Sequence, residues 1–160
     1  MEITILIFLF GGLFLGWSLG ANDAANVFGT AVGTRMVSFT SAAIICSVFV
    51  ILGAIISGAG TTETLGKLGA INALPGAFAA CVAAGISVYL MTKVGLPVST
   101  TQAIVGAIVG WNLYTGSSTN LQVLITILGT WILCPIIAGV IAMGLFTFTK
   151  RVILNRKLHI

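Results

Sequence analysis

Four stretches of this chain, Ile3–Leu19, Phe39–Ser57, Ala73–Thr92 and Leu121–Thr149, run without a single charged residue. About 20 apolar residues suffice to cross the hydrocarbon of a bilayer as a helix, and a helix satisfies its own backbone polar groups there. With 58% hydrophobic residues, 6% charged and a mean hydropathy of +1.18, the 160 residues hold too little polar surface to coat a soluble globule. They are also far too apolar to remain disordered. The sequence therefore predicts an all-α integral membrane protein, a single membrane domain over residues 1–160 with about five transmembrane segments.

Several classes of function fall away at once. The net charge is +4, but the seven Lys and Arg are scattered or gathered at the C-terminus, leaving no basic stripe for nucleic acid. Cys46, Cys81 and Cys134 lie far apart in apolar runs, so neither a metal-site spacing nor a disulfide framework is expected. Met1-Glu2 lacks the positive region of a cleavable signal, so the first run is expected to stay as a span. One histidine, His159 on the tail, and three carboxylates give an embedded enzyme almost nothing to work with. Neither catalysis nor a resident cofactor is expected.

Two of the apolar segments are interrupted. The first run dissolves into Gly20-Ala21-Asn22-Asp23-Ala24-Ala25-Asn26, and Pro97-Val98-Ser99-Thr100-Thr101-Gln102 opens the segment that continues to Tyr114. Both read as broken half-helices, with breaks near 20–26 and 97–102. A polar, glycine-rich loop is expected over 58–72, carrying Glu63 and Lys67 at the spacing of a helical ion pair. Pro135 is expected to kink the last span, and a basic tail occupies 150–160. Five crossings would place Arg35, Lys93 and the tail on one side against Lys67 on the other. The excess of positive charge then puts the N-terminus outside and the C-terminus in the cytoplasm. An odd number of crossings also turns any second copy upside down, as in an inverted-repeat transporter.

The two breaks carry the chemistry. A carboxylate inside a span costs about 2.5–3.5 kcal/mol on insertion scales, so Asp23 needs a partner or a cavity. Asn22 and Asn26 add amide oxygens, and Gly20 would permit unwound backbone whose carbonyls point inward, an oxygen set that suits a hard cation. Asp23 can equally cap a half-helix beginning near Ala24, and the two roles are compatible. At the second break, Pro97 stops any upstream helix, and Ser99 or Thr100 is a good N-cap. The N–H groups of such a helix, with Ser99, Thr100, Thr101 and Gln102, form an anion site that needs no buried Arg or Lys; the same residues can also be an ordinary cap. Together the breaks point to a cation site beside an anion site, with cooperative binding because each charge neutralises the other.

Gly20 to Asn26, continuing through Val27-Phe28-Gly29-Thr30, resembles the signature of the inorganic phosphate transporter family, which includes sodium– or proton–phosphate symporters and some sulfate permeases. Thr62-Glu63-Thr64 and Pro97-Val98-Ser99-Thr100-Thr101 with Ala103-Ile104-Val105-Gly106-Ala107 extend the resemblance over most of the chain. It implies phosphate at Ser99, Thr100, Thr101 and Gln102, and a coupling ion at Asn22, Asp23 and Asn26. Family members usually carry the Gly-Ala-Asn-Asp signature twice. This chain has it once and resembles the N-terminal half, one inverted repeat, whose partner would be a second antiparallel copy or a separate C-terminal half. Phe49 is followed by Val50 where many relatives have glutamate, and Gln102 stands where they often have histidine. Both departures remove protonatable groups and favour sodium. The expectation is sodium-coupled phosphate import across the plasma (inner) membrane. Proton coupling, a sulfate or other oxyanion permease, a passive anion channel and a non-transporting assembly subunit stand as alternatives.

Overall fold

The computed structural model describes residues 2–69 and 74–154. Five α-helices follow one another: α1 (Glu2–Gly33), α2 (Phe39–Leu68), α3 (Leu74–Lys93), α4 (Thr100–Thr115) and α5 (Leu121–Thr149), the last running into a π-helical turn, Lys150–Leu154. Among the described residues there is no strand. Four of the helices, all but α4, are long and apolar enough to cross a membrane. Large apolar side chains such as Leu13, Val27, Ile55, Ile56 and Ile132 stand on the exposed surface, where lipid rather than water is the compatible solvent. This is an integral membrane protein.

Two sequence expectations need correction. Residues 20–26 do not break the first span: α1 winds without interruption for 32 residues, about 48 Å. A lone glycine costs a helix about 1 kcal/mol, whereas unwinding strands several backbone groups, each costing several kcal/mol in hydrocarbon. The expected polar loop over 58–72 is likewise helical through Leu68. Thr62 and Thr64 turn their hydroxyls back onto the carbonyls of Gly58 and Gly60 (2.9 and 3.0 Å), and Lys67 pairs with Glu63 at 2.6 Å. Polar side chains there decorate a helix instead of ending it. The last residues of that expected loop, His159 and the tail beyond Leu154 lie outside the described residues. The chain is non-helical over 94–99, so of the expected break at 97–102 only 97–99 lie outside a helix: Pro97 cannot donate a backbone hydrogen bond and Ser99 caps α4, which already begins at Thr100. In α5 the helix continues through Pro135.

The chain forms two compact units, one of α1 to α4 and one of α5 with its π-helical turn. In the first, α1 and α3 run parallel. Phe8 meets Phe78 and Trp17 meets Tyr89, in the same order along both helices, and Ser18 donates to the carbonyl of Gly85 at 3.2 Å. Small residues permit the approach: a Cβ on Gly85 would lie 2.7 Å from the Phe14 ring. Helix α4 returns antiparallel beside α3, since Trp111 near its end covers Gly76 near the start of α3. Val88, Val105 and Ile108, with Ala80 and Ala84, fill the core of this unit. Helices α3 and α4 are thus a hairpin, and its six-residue tip, Val94–Ser99, reaches α1 beside Asn22.

Candidate functional site

The tip is built by local chemistry. Val94 N–H bonds the carbonyl of Leu90, Leu96 N–H bonds that of Met91, and Gly95 turns the chain with φ +77°. After Pro97, Ser99 takes extended backbone and its hydroxyl accepts the N–H of Gln102 at 3.3 Å, which starts α4 at Thr100.

Asn22 faces this tip from α1 and is only 4% exposed. Its Nδ2 donates to the carbonyl of Val98 at 2.5 Å and to Asp23 Oδ1 at 2.7 Å, while its Oδ1 accepts the N–H of Val98 at 3.4 Å. Thr100, also buried, donates its hydroxyl to the same Asp23 oxygen at 3.3 Å. Asp23 itself is half-buried. Among the described residues the only ion pair is Lys67–Glu63, and none of their cations pairs with Asp23. It is held by two neutral donors and by the partial positive charge of the α4 N-terminus.

Of the seven residues singled out from sequence, Asn22, Asp23 and Thr100 therefore meet, and Ser99 sits in the helix cap beside them. Asn26, Thr101 and Gln102 are exposed, and among the described residues their side chains make no hydrogen bond. The inward carbonyls expected from an unwound Gly20 are not available, because α1 is helical there. Sequence reading passed over Ser18, which is 1% exposed and lies four residues before Asn22 on the same face. It also passed over Asn112, fully buried, whose Nδ2 donates to Thr119 at 3.0 Å. Both are polar residues inside apolar runs, and that was the available signal. The backbone of Val98 as a partner for Asn22, 76 residues away, left none.

A carboxylate, a carboxamide and a hydroxyl-capped helix N-terminus thus meet at a hairpin tip within a helical membrane unit. The sequence profile of the phosphate transporter family matches residues 19–160, and the chain belongs to that family. It is 37% identical over 97% of its length to a protein of Pyrococcus furiosus that carries the name "putative phosphate permease". It is 32% identical over 90% of its length to a sodium-dependent phosphate transporter of Plasmodium falciparum. A solved structure of a sodium-dependent phosphate transporter matches 98% of the chain with a TM-score of 0.84 at 30% identity. The chain spans 39% of the Pyrococcus protein, 23% of the Plasmodium protein and 41% of the solved one.

Proposed function

We propose that this chain is one inverted-repeat unit of a secondary transporter that carries inorganic phosphate inward with sodium. The observation that carries the reading is the contact between Thr100 and Asp23, which sets a hydroxyl-rich helix N-terminus against a carboxylate that has no ion-pair partner among the described residues. On this reading sodium sits at Asp23 with Asn22 and Asn26 beside it. Phosphate oxygens are held by Ser99, Thr100, Thr101 and Gln102 with the first N–H groups of α4. Coupling follows from charge. A monoanion about 5 Å from Asp23 meets a repulsion of roughly 3 kcal/mol at an effective dielectric constant of 20, and a bound cation removes it. That is on the order of a hundredfold in affinity, in either direction of linkage.

The hairpin bears on topology. Because α4 runs back beside α3, the pair returns the chain to the depth where α3 began, whether or not it crosses fully. The parity of crossings is then set by α1, α2 and α5 and is odd. On this reading the excess of Lys and Arg puts the C-terminus in the cytoplasm and the N-terminus outside, in the plasma (inner) membrane. An odd unit needs an inverted partner, either a second copy or a separate C-terminal half, and the names of the two sodium-dependent relatives support the choice of ion.

The test is uptake of radiolabelled phosphate into proteoliposomes, with and without an inward sodium gradient, first with this chain alone and then with a candidate partner half. Sodium-driven accumulation that Asp23→Asn abolishes is the expected result. Uptake that follows a proton gradient, prefers sulfate, or merely equilibrates without sodium would replace the reading.

A further inference from the structure

Hydroxyls inside the helices of this chain usually serve their own backbone. Ser47, Thr62, Ser87, Thr92 and Thr147 each donate to the carbonyl four residues earlier, at 2.8–2.9 Å. Ser18 does not. It is 1% exposed and donates out of α1 to the carbonyl of Gly85 in α3, 67 residues away, at 3.2 Å. Bonding back is open to any hydroxyl within a helix, so one that crosses marks a neighbour held close. The bond falls where α3 presents bare backbone. A Cβ on Gly85 would stand 2.7 Å from the Phe14 ring and 3.5 Å from the Cα of Leu15, against the same turn of α1.

Four residues on, along the same face, Asn22 holds Val98. The two attachments are not equivalent. Val98 lies in the non-helical tip, which can follow α1 if α1 slides, whereas Gly85 lies inside α3, which cannot. Helix α4, which Thr100 begins, packs on α3 through Trp111 against Gly76. Asp23 lies five residues beyond Ser18 on an unbroken helix, so holding Ser18 to α3 places Asp23 relative to Thr100. The tolerance is small. The Thr100–Asp23 bond is already 3.3 Å long, and a slip of one residue moves a helix by about 1.5 Å and turns it by about 100°.

We infer that Ser18 is a positioning residue: its hydroxyl pins α1 to α3 in one register, and that register sets Asp23 against Thr100 at the site. The pin stands on this geometry alone, while its consequence for ion binding rests on the proposed function. Interhelical hydrogen bonds in membrane proteins shift equilibria about threefold on average and about twentyfold at most.

The test uses the purified chain in detergent and compares wild type, Ser18→Ala and Phe78→Leu. The first variant removes one oxygen and keeps a helix former. The second loosens the Phe8–Phe78 contact between the same two helices but leaves the hydroxyl in place. Hydrogen exchange of the peptide Val94 to Thr101 is read without sodium, then across a sodium titration, beside the midpoint of denaturation. Ser18→Ala should exchange about threefold to tenfold faster at the tip and need at least about threefold more sodium for half-protection. Phe78→Leu should lower the denaturation midpoint more than Ser18→Ala does, yet leave both tip readings within about twofold of wild type. Wild-type exchange at the tip in Ser18→Ala would overturn the pin. So would equal tip losses in Phe78→Leu, which would reduce Ser18 to ordinary packing. A looser tip with an unchanged sodium requirement would overturn its control of the site. Sodium that fails to protect even wild type would overturn the ion in the proposed function, and the sodium-free comparison would still uphold or overturn the pin.

Discussion

Replacing Asn22 by leucine tests whether the hairpin tip is held to α1 by a single carboxamide. The substitution keeps the branched shape, is somewhat larger, and removes both donors and the acceptor. Two bonds matter energetically: Nδ2 to the Val98 carbonyl at 2.5 Å and Nδ2 to Asp23 at 2.7 Å. The 3.4 Å bond from Val98 N–H is too long to count for much. A bond to a charged group contributes about 1.5–3 kcal/mol, and stranding a buried carbonyl costs about 1–3 kcal/mol. Val98 and Asp23 are only half-buried, so water can replace part of what is lost. The lower end of the combined range applies, about 2–3 kcal/mol. At 1.36 kcal/mol per factor of ten, tip opening should rise about 30- to 150-fold. Hydrogen exchange read by mass spectrometry on a peptide covering Val94 to Thr101 measures this directly, with α5 peptides as internal reference. Exchange of the tip within about threefold of wild type would refute the latch. So would an equal rise in α5, which would mean that the whole molecule had opened.

Two packing predictions accompany it. Gly85→Ala places a methyl 2.7 Å from the Phe14 ring and should lower stability by about 1–3 kcal/mol in a denaturant titration, whereas Gly106→Ala, with nothing within 4 Å, should be neutral or stabilising. Equal effects at the two positions would contradict the close α1–α3 contact. Gly69→Ala collides with the carboxamide of Asn112, which is fully buried, so the double variant Gly69→Ala/Asn112→Ala should be more stable than the sum of the single losses by about 1 kcal/mol or more. Simple additivity would show that the ends of α2 and α4 are not packed through this pair.

The membrane class and the four long spans were legible because uninterrupted apolar runs have no other stable home. The start of α4 was legible for a local reason: a proline that cannot donate, then a serine that caps. The two errors share one cause. At 20–26 and 58–68, asparagine, aspartate, threonine and glycine were read as they behave in water, where their side chains compete for backbone and loosen helices. In a bilayer the same competition strands backbone groups in hydrocarbon. The helix persists, and threonines such as Thr62 and Thr64 bond back onto it. What no local pattern could reveal is the parallel register of α1 and α3 that carries Val98 to Asn22 and Thr100 to Asp23.

That unbroken α1 changes what the site can offer an ion. An unwound segment would have turned several carbonyls toward the cation, but in a continuous helix those carbonyls are committed to the next turn. Asn22 is committed too, since its oxygen faces Val98 N–H and its nitrogen is shared between Val98 and Asp23. On the proposed reading this unit alone contributes the free edge of Asp23 and, one turn on, Asn26, with Asn22 beside them already bonded, and hard cations take more oxygens than these. The remainder must come from water or from an inverted partner, which would bring its own polar helix to the same depth. A site so divided couples ion binding to association of the two halves. Sodium should therefore raise the affinity of this chain for its partner, and Asp23→Asn should remove that dependence while leaving sodium-free association unchanged, as measured by pull-down in detergent across a sodium titration.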